Sequence, residues 1–177
     1  MTAMCVDLVV ECEDWRTALP DLDAVISQGA SLATAAWSEV DPKPASEDWE
    51  ICVLACDDAR IAALNADHRG KPSPTNVLSW PAFELSADVP GNRPAAPPSV
   101  GPGPGPLHLG DVAIALQTVI READAAQRPL KNHVVHLILH GCLHLLGYDH
   151  ETLEDAELME GIESRAMIAS GLPDPYA

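Results

Sequence analysis

The chain of 177 residues has few aromatic and few basic side chains. Phe, Trp and Tyr together make up 4% of it, and ten Lys and Arg residues stand against 27 Asp and Glu residues. The resulting formal net charge of −17 opposes non-specific binding to nucleic acids and to anionic membranes. A nucleic-acid role would therefore require the few cations to gather in one place. Otherwise the acidic surface serves only to keep the protein soluble.

Signals of export and of membrane insertion are also missing. No apolar run approaches the ~20 residues that span a bilayer, and the first residues lack the basic start of a signal peptide. The five cysteines are odd in number and contain no CxxC pair, so they predict no disulfide framework. These absences together predict a reduced, cytoplasmic protein that does not associate with membranes.

We predict one α+β domain over residues 1–177. The length of the chain and its 47% hydrophobic content suit a single core. Hydrophobic patterns predict both strands and helices. The strands are expected at residues 5–10, 49–54, 77–80 and 107–115. The helices are expected at residues 18–37, 58–67, 116–127, 131–146 and 152–168. This order predicts a small mixed sheet packed by helices.

Individual residues predict where some of these elements start, bend and stop. Asp57 is placed to cap the helix that follows it, and Thr152 with Asp155 resembles a capping box for the last helix. Gly147 is placed to end the helix over 131–146. Gly110 lies inside a strand pattern, which indicates a bulge or a close approach of another backbone segment.

Residues 89–106 form a segment rich in proline and glycine. Their sequence, VPGNRPAAPPSVGPGPGP, breaks helices and strands and offers little apolar surface. We expect a solvent-exposed loop insertion between two strands of one sheet, and not a boundary between two domains.

The stretch HGCLHLLGYDH, residues 140–150, carries the strongest chemical signal. His140 and His144 stand one helical turn apart, on a helix that is apolar nearly all round and is therefore predicted to be buried. Gly147 allows a sharp turn that can return His150 as a third ligand. Three protein ligands with a fourth position open are typical of a catalytic zinc site. The alternative, that these are ordinary packed histidines, requires several buried imidazoles without partners, which is costly.

The spacing HxxxHxxGxxH matches the metzincin protease pattern except at one position. Gly141 stands where those proteases carry the glutamate that acts as general base. Peptide hydrolysis by that route would lack its base. Hydrolysis of a phosphodiester fits better, because a metal lowers the pKa of bound water towards ~7 and an arginine can meet the charge of the phosphate.

Three separated blocks resemble the YbeY family of bacterial endoribonucleases. They are LNADHRGKPSPTNVLSWP at residues 64–81, LGDVAIA at 109–115, and HGCLHLLGYDH itself, with Trp80 where the family usually has Phe. The resemblance implies zinc bound by His140, His144 and His150, and a functional Arg69. It also implies cleavage of single-stranded RNA in the maturation of the 3′ end of 16S ribosomal RNA, a role in ribosome quality control, and the small ribosomal subunit as partner. DNA is not expected as a substrate.

The chemistry of Arg69 agrees with this role, because a guanidinium can grip a phosphate through two hydrogen bonds. Lys71 is a further candidate for phosphate binding, whereas Ser73, Thr75 and Asn76 either contact the substrate or only shape the turn. If Arg69, Lys71, Arg93, Arg128 and Lys131 face one cleft, they form a local basic groove.

Four further residues could act around the metal. Asp111 could orient a ligand or form a structural hydrogen bond, and Asp149 could support His150 or cap the last helix. His133 and His136 lack the spacing of ligands, so roles outside the ligand set or in the core are expected for them.

Two mechanisms and two rival functions remain open. The nucleophile could be a zinc-bound water, with Arg69 stabilising the developing charge, or a neighbouring RNA hydroxyl, and the general base is unassigned. The rivals are a metalloprotease-like amide hydrolase, disfavoured by Gly141, and a non-catalytic ribosome-associated protein whose zinc is structural.

Overall fold

The computed structural model describes residues 3–40, 48–99 and 105–177. Within them the chain forms four strands and six helices. In chain order these are β1 (Met4–Val10), α1 (Asp14–Ala18), α2 (Leu22–Val40), β2 (Trp49–Cys56), α3 (Asp58–Arg69), β3 (Val77–Pro81), β4 (Leu107–Ala115), α4 (Leu116–Ala125), α5 (Leu130–Leu145) and α6 (Leu153–Ala169).

The four strands form one mixed sheet in the order β1-β2-β4-β3. β1 pairs with β2 in parallel, β2 pairs with β4 in parallel, and β3 pairs with β4 antiparallel. The α+β class and the small mixed sheet predicted from the sequence are confirmed. Both predicted N-caps also form, since the Asp57 side chain accepts a hydrogen bond from the Arg60 backbone amide and Thr152 accepts one from Asp155.

The two faces of the sheet are covered unequally. One face carries the alternate apolar residues of β2, including Ile51 and Val53, and belongs to the main core together with α2, α5 and α6. The other face forms a smaller cluster around Ile61 of α3. The helix α5 lies at the centre of the molecule, packed against α2, α4, α6, β3 and β4. No helix in the described part of the chain has both the length and the apolar character that a bilayer span requires.

The predicted helix over 18–37 is wrong at its start, because the chain forms two helices there. Leu19 is extended, with φ −134° and ψ 90°, and separates α1 from α2. The cause is Pro20, whose ring disfavours the α conformation in the residue before it. The helix expected over 116–127 likewise ends earlier, at Ala125, and Gln127 takes a left-handed conformation with φ 51°.

The segment 89–106 connects two neighbouring strands, as expected, but part of it is not solvent-exposed. Residues 100–104 lie outside the described residues. In the described part, Pro94 is buried and the Ala95 amide donates to the Leu85 carbonyl at 2.8 Å. The Gly91 amide donates to the Asp155 carboxylate at 2.8 Å, so this part of the segment packs over the start of α6. The boundaries of the insertion remain a prediction.

Gly110 has the conformation and the close approach that its position in a strand indicated. Its φ is 138°, and the pairing between β2 and β4 shifts register opposite it, between Glu50 and Ile51. A Cβ at Gly110 would lie 2.2 Å from the Trp80 carbonyl oxygen. Only glycine therefore fits this bend of β4 without displacing β3.

Gly110→Ala is expected to lower the free energy of unfolding by at least about 3 kcal/mol, because it adds both backbone strain and a clash with a backbone carbonyl. Urea unfolding of the metal-free protein measures the change. The matched control is Gly161→Ala in α6, where the new methyl group would meet only the flexible end of Arg165. Helix propensity predicts about 1 kcal/mol of stabilisation there. Equal effects of the two substitutions would contradict the close approach at Gly110.

Candidate metal centre

The end of α5 and the turn after it place the three predicted ligands. The Tyr148 amide donates to the Leu143 carbonyl and the Gly147 amide donates to the His144 carbonyl, both at 3.0 Å, while Gly147 has φ 89°. This pairing is a Schellman motif, which requires a left-handed residue, preferably glycine. Tyr148 is buried edge-on against Trp37, with ring centroids 6.5 Å apart. The turn is therefore fixed to the core before the chain continues to the third histidine.

His140, His144 and His150 converge as predicted. One ring nitrogen from each lies within 4.8 Å of the others. The Nε2 atoms of His140 and His144 are 3.0 Å apart, and the His150 ring centroid lies 5.2 Å and 5.0 Å from the centroids of those two rings. His140 and His144 are half-buried and His150 is exposed, so the group opens to solvent on one side.

Hydrogen bonds on the far side of two rings decide which nitrogens point at the centre. His140 Nδ1 lies 2.7 Å from a carboxylate oxygen of Glu163, and His144 Nδ1 lies 2.9 Å from the Tyr148 carbonyl oxygen. Both partners only accept, so these hydrogen bonds assign the proton of each ring to Nδ1. In the neutral imidazoles the two Nε2 atoms are then left with bare lone pairs.

Two bare lone pairs that face each other at 3.0 Å repel unless a cation or a proton lies between them. His144 does not readily take up such a proton at neutral pH. Burial, together with the charges of His140 and His150, lowers the pKa of His144 to about 4. The arrangement therefore fits a metal ion, whose charge both nitrogens can share.

The donor set suits a catalytic metal site better than a structural one. Two imidazole nitrogens at Zn–N distances of ~2.0–2.1 Å around a tetrahedral ion would be about 3.3 Å apart, close to the separation found here. Within the described residues, no fourth His, Cys, Asp or Glu joins the three histidines. Structural zinc sites are usually closed by four protein ligands, whereas catalytic ones keep one position open.

The metal-free protein is expected to lose stability as the pH falls below neutrality. The pKa of His144 is about 4 in the folded chain against 6.5 without the fold. The unfolded state therefore binds the proton first, and up to about 3 kcal/mol of unfolding free energy is lost between pH 6.5 and pH 4. Urea unfolding with a chelator, in wild type and in His144→Gln, measures this loss. An equal pH dependence in both proteins would contradict it.

Gly141 faces the sheet and not the metal position. A Cβ there would lie 3.0 Å from Val112 Cγ1 and 3.3 Å from Ser79 Oγ, and the Ser79 hydroxyl donates to the Gly141 carbonyl at 3.3 Å. A side chain at this position would press against the side chains of Val112 in β4 and Ser79 in β3, which would have to give way. The close packing of α5 on the sheet therefore favours glycine at the position where the protease carries its general base.

Glu163 is a residue of the site that the sequence analysis missed. Its side chain is fully buried, and its two oxygens accept from His140 Nδ1 and from His136 Nε2, each at 2.7 Å. Burial raises the pKa of this carboxyl group, but the hydrogen bonds from His136 and His140 outweigh burial and lower the pKa to about 2. His136, predicted to act outside the ligand set, is thereby brought to the carboxylate that holds His140.

Of the two roles left open for Asp111, the structure supports the structural one and not a role at the metal. Its side chain lies on the sheet face opposite α5, where it pairs with His108 at 3.2 Å and lines a groove with Cys52 and Trp80. The physical reason is the bulge at Gly110, which leaves two successive residues of β4 buried and turns Asp111 outward.

Asp149 and His133 take local roles. The Asp149 carboxylate accepts from the His150 backbone amide at 2.7 Å, so it shapes the turn that carries the third histidine. It does not cap the last helix, because Thr152 does. His133 Nε2 lies 2.9 Å from Glu122, away from the three converging rings.

Arg69 and Lys71 lie at the end of α3 and in the loop that leads to β3. Both side chains are exposed, and within the described residues neither forms an ion pair. The loop is fixed at both ends. The Asn65 amide donates to the Ser73 carbonyl at 2.9 Å, and Asn76 bonds both Glu122 and the Val77 amide. Asn76 therefore shapes the turn, one of the two roles left open for it.

The predicted basic groove loses one of its five cations. Lys131 Nζ lies 3.0 Å from Asp21, so its charge is paired beside α2. Arg93 lies over the ring of Trp37, 5.7 Å from the centroid. Of the other four, Arg69 and Lys71 have exposed side chains and form no ion pair within the described residues, so we expect the affinity for a phosphate chain to depend mainly on these two.

Comparisons with known proteins bear on the same residues. Residues 23–171 match a protein-family model described as Endoribonuclease YbeY. The Endoribonuclease YbeY of Ruegeria pomeroyi is 53% identical over 173 residues, which are 98% of each chain. That of Paracoccus denitrificans is 46% identical over 171 residues, which are 97% of this chain and 89% of the other. The solution structure of TM1509 from Thermotoga maritima, 18% identical, gives a TM-score of 0.50 over 97% of this chain and 99% of that one, and shows the fold alone.

Proposed function

Because this chain belongs to the YbeY family of endoribonucleases, we propose that it is a metal-dependent endoribonuclease that cleaves single-stranded RNA. Its substrate in the cell is ribosomal RNA, at the 3′ end of the 16S species, and it acts in the cytoplasm with the small ribosomal subunit and in ribosome quality control. The observation that carries the proposal is the pair of imidazole lone pairs facing each other beside a third, exposed histidine.

Zinc is the metal that the ligands favour. Three neutral imidazoles suit Zn²⁺, whereas Mg²⁺ and Ca²⁺ prefer oxygen ligands. His140, His144 and His150 would hold one ion. When bound, it would polarise a phosphate oxygen and lower the pKa of a water molecule.

Residues of this chain orient the histidines and bind the RNA. Glu163 and the Tyr148 carbonyl fix the rings of His140 and His144, so that both Nε2 atoms face the metal position. Arg69 binds the phosphate and stabilises the charge that develops on it, with Lys71 as a second contact to the RNA backbone. A fully charged guanidinium suits this task because it needs no proton transfer.

The two rival functions lose support from the same geometry. An amide hydrolase of the metzincin kind needs a glutamate at position 141, whereas this chain has a glycine whose Cβ position faces the sheet. A purely structural zinc would be closed by a fourth protein ligand, and within residues 3–40, 48–99 and 105–177 none joins the three histidines.

The test compares cleavage of single-stranded RNA, duplex RNA and a peptide library by the purified protein. Single-stranded RNA alone should be cleaved. A chelator should stop the reaction, and one equivalent of zinc should restore it. Product ends then choose the nucleophile, because a 2′,3′-cyclic phosphate indicates attack by an RNA hydroxyl and its absence indicates water. Cleavage that survives exhaustive chelation, or a peptide substrate, would contradict the proposal.

The affinity for single-stranded RNA should also fall as the salt concentration rises. Each phosphate contact made by a cation releases counterions, with a slope of about −0.7 per contact in a plot of log affinity against log salt concentration. With Arg69 and Lys71 as the two principal contacts, we expect a shallow slope, of about −1 to −2.

A further inference from the structure

Glu163 is the one acidic residue of α6 whose side chain is removed from solvent. The helix carries several carboxylates, but Glu163 has 0% exposure. A buried carboxylate is costly unless hydrogen bonds satisfy it. Its oxygens accept from three donors, which are His136 Nε2, His140 Nδ1 and the Tyr176 hydroxyl. This carboxylate is thus fixed in place by two elements besides its own helix.

Tyr176 reaches Glu163 from a short segment that folds back after α6. The Asp174 carboxylate accepts from the Ser164 hydroxyl at 2.8 Å and from the Tyr176 amide at 3.0 Å, and Pro175 is buried. The Tyr176 ring stands edge-on to His136, with centroids 5.6 Å apart and planes at 86°. The segment is therefore anchored at three successive residues, and the phenol is aimed at the carboxylate.

We propose that Tyr176 and Glu163 are positioning residues of the metal centre, acting in series on His140. The Tyr176 hydroxyl holds one oxygen of Glu163, and the other oxygen holds Nδ1 of His140, so that Nε2 points at the metal position. The inference rests on the proposed metal site. A carboxylate that accepts the second ring proton of a metal-bound histidine fixes the orientation of the ring and raises its basicity.

An alternative is that His136, His140 and Glu163 bind a second metal ion directly. Ligand atoms of His136, His140 and Glu163 also lie within 4.8 Å of one another. The 2.7 Å separations from nitrogen to oxygen are, however, those of charge-assisted hydrogen bonds. Metal binding there would remove the hydrogen bond that orients His140. Positioning therefore predicts one zinc per chain, and direct ligation predicts two.

The experiment measures zinc affinity by competition with a chromogenic chelator in Glu163→Gln and Tyr176→Phe. Glu163→Gln should weaken binding by about 10-fold to 100-fold, as expected for a lost carboxylate behind a metal-bound histidine. Tyr176→Phe keeps the ring contact with His136 and loses one hydrogen bond, so a decrease of about 3-fold to 10-fold is expected. Cobalt absorption spectra of both variants should shift, because the His140 ring moves. A change in folding alone would not alter the spectrum of the folded fraction.

The matched control is Glu122→Gln. Glu122 bonds His133 on the same helix at 2.9 Å, but His133 contributes nothing to the three converging nitrogens. The zinc affinity of the Glu122→Gln variant should stay within about 2-fold of that of the wild type.

Several results would overturn the inference. They are unchanged affinity and spectrum in both variants, an equal loss in Glu122→Gln, or two zinc ions per wild-type chain. If Glu163→Gln fails to fold, Tyr176→Phe decides alone. Failure of the proposed function looks different, because wild type itself would then bind no zinc or cleave no RNA.

Discussion

His144→Ala is expected to lower the rate of RNA cleavage by at least about a thousandfold. The substitution removes one of the two nitrogens whose lone pairs face each other at 3.0 Å, and it leaves a site with one half-buried and one exposed ligand. A metal contributes several kcal/mol to the stabilisation of the transition state, and each 1.36 kcal/mol is tenfold in rate. Zinc content should fall together with activity, which metal analysis of the same preparation checks.

The control for this variant is His108→Ala. His108 is an exposed histidine of β4 that pairs with Asp111 on the sheet face opposite α5, so its loss should leave cleavage and zinc content unchanged. Cleavage by His144→Ala at the wild-type rate would mean that a contaminating nuclease causes the activity. Full activity with no bound zinc would contradict the metal mechanism itself.

The convergence of the three histidines could be predicted because the sequence features that produce it are close together in the chain. His140 and His144 stand one turn apart on one helix, and Gly147 supplies the left-handed residue that returns the chain to His150. Helical periodicity and a single turn motif suffice to place these three rings. Which nitrogen of each ring points inward could not be predicted, because the partners of Nδ1 come from a carboxylate on another helix and from a backbone carbonyl.

The side of the sheet that each strand residue faces was harder to predict than the positions of the strands in the sequence. The bounds of β4 match the prediction, yet Asp111 lies on the side of the sheet where it cannot act at the metal. Alternation along a strand assigns faces only up to the first bulge, and Gly110 forms one. The sequence indicated a bulge at Gly110 as one of two possibilities, but not which neighbour would pass close to it. That neighbour is the carbonyl of Trp80, on a strand 30 residues away.

The sequence pattern could not have identified Glu163 and Tyr176 as residues of the site. The helix α6 has acidic residues on several sides, and nothing in their spacing distinguishes the one that is buried. Tyr176 is exposed over much of its surface and lies beyond the last predicted helix. Both become part of the site only because α5 and α6 pack together and the following segment folds back. Only the three-dimensional structure reveals a buried carboxylate that accepts hydrogen bonds from three donors.

Arg69→Ala is expected to lower kcat for single-stranded RNA by about a hundredfold to a thousandfold, with zinc affinity unchanged. One hydrogen-bond donor aimed at developing charge is worth this much in other hydrolytic sites. Arg69 ends α3 and forms no ion pair among the described residues, so its removal leaves no partner unpaired and should leave the free energy of unfolding within about 0.5 kcal/mol of wild type. Multiple-turnover kinetics at saturating RNA measure kcat, a zinc titration measures the affinity for the metal, and urea unfolding measures the stability.

Arg69→Lys and Lys71→Ala separate the role of the guanidinium from that of charge. A lysine at position 69 keeps the charge but not the two parallel donors, so it should recover RNA affinity more than kcat. Lys71→Ala should mainly raise KM and make the salt dependence of binding shallower, since a lysine that only contacts the backbone phosphate adds affinity and not catalysis. If Arg69→Ala instead raised KM alone, Arg69 would be a binding residue, and the charge that develops on the phosphate would be left to the metal.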